Sequence, residues 1–159
     1  MNKAALSIAT VLLLAGCATS EQGLGLHQLE TDSYRRDVRT LPMDFVQIQR
    51  AVFKQQARCD SRLEFKVDEM HPSYARVTQP LSEGAQAGEW NKMMVLGLTL
   101  TQHAPAKVLG VTLREGGEAS TKAQLYSYYA LDKAKVTALY NALLHPDLCP
   151  GETPPEETD

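Results

Sequence analysis

The stretch Asn91-Lys-Met-Met-Val-Leu-Gly-Leu-Thr-Leu-Thr101 decides the fold. Leu96, Leu98 and Leu100 alternate with Val95, Gly97, Thr99 and Thr101, the period of two that belongs to a strand with two unlike faces. Shorter segments on either side repeat the pattern. Upstream, Leu63, Phe65 and Val67 alternate with Arg62, Glu64, Lys66 and Asp68, and Ser73–Gln79 follows Met70-His71-Pro72. Downstream come Lys107–Arg114, a Glu115-Gly116-Gly117-Glu118 turn and Thr121–Tyr129. Pro105 and the Pro80–Glu89 loop, which holds Gly84 and Gly88, punctuate the series. Five strands in succession with short links predict an antiparallel meander.

Helical periodicity brackets the strands. Pro42 suits a first turn, and Phe45, Ile48 and Val52, flanked by Val46 and Phe53, mark one face of a helix running to Arg58. At the far end Asp132 is a candidate N-cap. Val136, Leu139, Tyr140, Leu143 and Leu144 recur at helical spacing after it, and His145-Pro146 stops the run. An apolar helix stripe needs a partner, and the sheet face of Leu96, Leu98, Leu100, Leu109, Val111 and Leu113 supplies one. The expected architecture is therefore α+β in two layers: a five-stranded antiparallel meander with an N-terminal and a C-terminal helix packed on one face.

The opposite face of that sheet would carry Val95, Gly97, Thr99, Thr101, Val108, Gly110 and Thr112, with Tyr126 and Tyr128 beside Lys122 and Gln124. It is more apolar than a fully solvated face requires. Two readings stay open there. The tyrosines cover strand glycines across the sheet, or Tyr126 and Tyr128, with the lone Trp90, form a binding surface.

The N-terminus carries an address. Lys3 precedes a small and apolar run, Ala4–Gly16, whose helical length of roughly 20 Å falls short of a hydrocarbon core. The run reads as a signal peptide. Directly after it, Leu14-Ala15-Gly16-Cys17 resembles the lipobox of bacterial lipoproteins at every position. That resemblance implies a diacylglycerol on the Cys17 thiol, cleavage before it, and a fatty acyl chain such as palmitate on the new amino group. Several acyl chains hold a protein on a bilayer, each buried methylene contributing about 0.8 kcal/mol. Ala18, not Asp, stands next. In a Gram-negative host the resemblance then implies the outer membrane, with the protein on its periplasmic face. Residues 17–40 would be the lipidated cysteine and a flexible tether closed by Arg35, Arg36 and Arg39, with an r.m.s. reach of about 25 Å. Residues 41–149 would be the folded domain, and 150–159 an acidic, Pro-rich disordered tail.

An exported chain meets an oxidising compartment, so Cys59 and Cys149, the two cysteines left after lipidation, should pair. Both stand at predicted helix ends, so the bridge would tie the first helix to the last. Zinc is disfavoured, because His27, His71, His103 and His145 show none of the close paired spacings it uses. Removing residues 1–16 takes only Lys3 from 16 basic and 19 acidic side chains, leaving a net charge of −4. Glu152, Glu156, Glu157 and Asp159 in the tail account for that excess. A neutral body lacks the basic stripe that nucleic acid demands.

No G-x-S-x-G, H-E-x-x-H, P-loop or C-x-x-C motif occurs. Glu64 and Asp68 share a strand face with Arg62 and Lys66, which describes a solvated charge ladder better than an acid/base pair. Glu83 and Glu89 beside Trp90 are a faint carbohydrate-contact signal. The sequence therefore points to no enzyme, cofactor or metal. It points to a lipid-anchored binding or accessory module of the cell envelope, with an envelope protein as partner. The alternative is a lipoprotein inhibitor or immunity protein that presents Pro80–Trp90 to a periplasmic hydrolase or toxin.

Overall fold

In chain order the elements are α1 (Leu26–Leu29), β1 (Arg35–Leu41), α2 (Phe45–Cys59), β2 (Glu64–Val67), β3 (Tyr74–Pro80), β4 (Met93–Thr101), β5 (Lys107–Val108), β6 (Val111–Thr112), β7 (Ser120–Ser127) and α3 (Lys133–Leu144). The computed structural model describes residues 23–101, 107–108, 111–112 and 120–152. The five-stranded sheet has the order β1-β7-β4-β3-β2, antiparallel throughout. β4 lies at its centre. Val95 faces Thr78 on one side and Tyr126 on the other, and Leu96 faces Val77 and Leu125.

Alternation along β4 separates two cores. Met94, Leu96 and Leu98 join Ala75, Val77, Ala123 and Leu125 beneath Ile48 and Val52 of α2 and Leu139, Tyr140 and Leu143 of α3. Met93 and Val95 join Tyr126 and Leu29 in a smaller cluster on the other face. The α+β class, the antiparallel sheet and the two helices on one face are as the sequence predicts.

Caps and ties explain where the helices stop. The Asp44 carboxylate accepts from the Gln47 amide and the Gln47 side chain accepts from the Asp44 amide, a reciprocal cap that starts α2 after Pro42 instead of at it. Asp132 caps α3 by accepting from Lys135. Cys59 and Cys149 form a disulfide with Cα atoms 5.3 Å apart. Beside it the buried Gln55 amide donates to the carbonyls of Pro146 and Leu148. Val46 and Phe53, expected at the edge of the buried stripe, point outward, and Ala51 and Gln55 take the inner positions.

Two expectations change. The fifth strand of the sheet is β1, not Lys107–Arg114: Lys107–Val108 and Val111–Thr112 pair with each other as a separate two-stranded ladder. Leu109, Gly110 and Leu113, assigned to the sheet faces above, lie outside the described residues, as does His103. The second change concerns the tether. Residues 23–40 do not form a flexible link: α1 packs its Leu29 into the second face and β1 pairs with β7 from Arg35 to Leu41. Burial of Leu24, Leu26 and Leu29 against Met93, Val95 and Tyr126 provides the driving force.

Candidate functional site

The second face of the sheet holds a charged clasp. Arg76 on β3 meets the Glu30 carboxylate at 2.6 and 3.1 Å and Asp68 at 3.1 Å. The Tyr74 hydroxyl donates to the same Glu30 at 2.9 Å, and the Arg76 guanidinium lies 4.6 Å from the Tyr74 ring centroid. Hydrogen bonding to Glu30 pushes the Arg76 pKa up. The Arg76 hydrogen bond holds Asp68 below the usual carboxylate range, helped by the amides of Met70 and His71. Burial, then the Glu30 charge, raises Tyr74. This clasp fastens the N-terminal segment to the sheet. Of Glu64 and Asp68, it engages Asp68.

Gly97 explains the tyrosines. A Cβ there would stand 2.5 Å from the Tyr74 hydroxyl oxygen and 3.3 Å from Tyr126 Cε2, so rings from both neighbouring strands close over the glycine. Tyr126, expected as part of a binding surface, is only 7% exposed beneath α1. It belongs to the packing and is withdrawn from the candidate site.

Tyr128 has the opposite placement. It follows the end of β7, is 42% exposed, and stacks on Tyr34 at 5.5 Å, while Tyr129, 55% exposed, meets it edge-on at 5.0 Å. Arg36 on β1 donates to the carbonyls of Ser127 and Tyr128, both at 2.9 Å, and fixes the backbone beneath the rings. Val38, farther along the edge strand β1 and opposite Gln124, is exposed as well. From sequence alone Tyr34 has no role and Arg36 reads as tether, because both lie far from Tyr128 in the chain and meet it only once β1 pairs with β7.

Trp90 packs against the same second-face cluster as Tyr34, half-buried in a single 3-10 turn before β4. It borders a groove of about 540 Å³ over β2 and β3, together with Leu26, Lys66, Asp68, Met70 and Arg76. A second groove, about 500 Å³, runs between α3 and Leu148–Glu152 with Gln55 at its floor. The loop from Leu81 to Glu89 is braced: Arg62 donates to the carbonyls of Ser82 and Glu83, and Leu81 donates to Lys92.

Of the expected site residues, Cys17 lies outside the described residues, and Cys59 and Cys149 are bonded. Tyr128 stacks on Tyr34, and Trp90 borders the groove over β2 and β3; Tyr34 and Trp90 both pack against the second-face cluster. Among the described residues no three His, Cys, Asp or Glu side chains assemble as a metal set, and no helix is long and apolar enough to cross a membrane. No family model, curated protein or solved structure matches the chain.

Proposed function

We propose that the protein is a lipid-anchored, non-catalytic binding module of the cell envelope. It is held through acylated Cys17 on the periplasmic face of the outer membrane and captures an envelope protein with the Tyr34–Tyr128–Tyr129 patch. The observation that carries the capture surface is the exposed tyrosine stack fixed by Arg36. Tyrosine supplies large contact area at low entropy cost, and Tyr and Arg are enriched where interfaces concentrate their energy. The lipobox supports the anchor.

The test is chemical cross-linking in intact envelopes followed by purification of the protein. A discrete adduct is expected with the wild type and is lost in Tyr128→Ser/Tyr129→Ser, whose melting curve stays close to wild type. An adduct unchanged by that pair contradicts the assigned surface.

A second reading, an inhibitor or immunity protein, is favoured by the loop that Arg62 braces, since a braced loop enters a cleft at lower entropy cost. There, deletion of Ser82–Ala87 abolishes capture and the tyrosine pair is neutral.

A further inference from the structure

The folded chain begins close to the proposed anchor. Gly23 is the first described residue and Leu24 already packs in the second-face core, so only residues 18–22 separate Cys17 from the domain. Fully extended, that span reaches at most about 20 Å. A domain on so short a leash stays beside the membrane surface at high effective concentration, where weak contacts suffice for docking. The part of the surface nearest the leash is also fixed. Leu26 borders the groove over β2 and β3, and α1 packs beside Trp90.

The chemistry of that groove suits a phospholipid surface. Met70, 83% exposed, and the exposed Val67 offer apolar contact at the rim, and Trp90 stands at the inner wall. Tryptophan prefers the boundary between headgroups and acyl chains. Charges of both signs face outward, with Lys66 between Glu64 and Glu69. With two glutamates to one lysine the pattern repels a purely anionic surface on balance, and it complements a zwitterion: phosphate to Lys66, ammonium to the glutamates.

Resting on the Cys17 anchor proposed above, we infer that this groove docks on a bilayer of zwitterionic phospholipid, with Met70, Lys66 and Trp90 at the contact. Docking sets the groove edge of the sheet, β2, against the membrane. It leaves the β1 edge, with its tyrosine patch, turned toward a protein partner.

Trp90 is the chain's one tryptophan and reports the contact directly. The chain from Cys17 onward retains every described element, and with Cys59 and Cys149 bonded its one free thiol is Cys17. It is coupled through that thiol to maleimide lipid in zwitterionic vesicles doped with a headgroup spin-labelled lipid. The expected result is a blue shift and loss of most Trp90 emission, reversed in Met70→Asp/Lys66→Glu, two exposed positions whose change leaves the melting curve in place. Wild-type emission that ignores the labelled lipid overturns the inference. So does equal quenching in the double variant, which would mean proximity without docking. Because the anchor is installed chemically, failure here is distinct from failure of natural acylation.

Discussion

Tyr126 and Tyr128 are separated by one residue, yet Tyr126 is enclosed by Leu29, Val95 and the Gly97 backbone while Tyr128 stands at the rim against Tyr34. Stability should divide the same way. Tyr126→Ala opens a cavity and should cost about 3 kcal/mol, whereas Tyr128→Ala should stay under about 1 kcal/mol in urea denaturation. A similar cost at both positions would contradict the burial described. Asp68 gives a prediction in pH. Arg76 holds its pKa below the ordinary 3.8, so the folded state takes up this proton less readily than the unfolded chain. Its contribution is therefore complete above 3.8 and is lost as pH falls through the lower folded value. Asp68→Asn should lower the melting temperature at neutral pH, and the gap to wild type should narrow toward pH 3, as thermal scans across that range would show. A gap that widens on acidification would contradict the Arg76 pairing.

At the scale of elements, legibility followed burial. β4 is flanked on both sides and covered on both faces from Met93 to Leu98, so each residue answers to a neighbour and the alternation is plain. α3 announces itself through Asp132 and the Leu139–Leu143 spacing. β1 does not. It is an edge strand in which only Leu41 is buried, and its sequence, Arg-Arg-Asp-Val-Arg-Thr-Leu, carries the charges that keep a free edge from pairing further. Those same charges read as a solvated tether. α1 is one turn, too short for periodicity, and the Glu30–Arg76 contact spans 46 residues with no local signature. Of the candidate site, the cysteine pair was legible through reading the N-terminus as an export signal. The tyrosine patch was half visible, through Tyr128 alone. The disulfide closes a separation of 90 residues, worth about 4 to 5 kcal/mol in the chain-entropy model. Reduction should lower the melting temperature by about 5 °C or more in calorimetry. An unchanged transition would mean that Gln55 and its two carbonyl partners hold the C-terminal segment unaided.

At the scale of the whole molecule, the described residues build a five-stranded sheet with two unlike edges, a helical layer on one face and an N-terminal segment on the other. That segment takes up residues the sequence presents as tether, since from Leu24 onward the chain packs on the sheet. Everything proposed about orientation depends on Cys17 carrying lipid. The most direct measurement is incorporation of labelled palmitate in cells expressing the wild type or Cys17→Ser. Label should enter the wild type and be absent from the variant, which should accumulate as uncut precursor. A variant processed and released like the wild type would contradict the account.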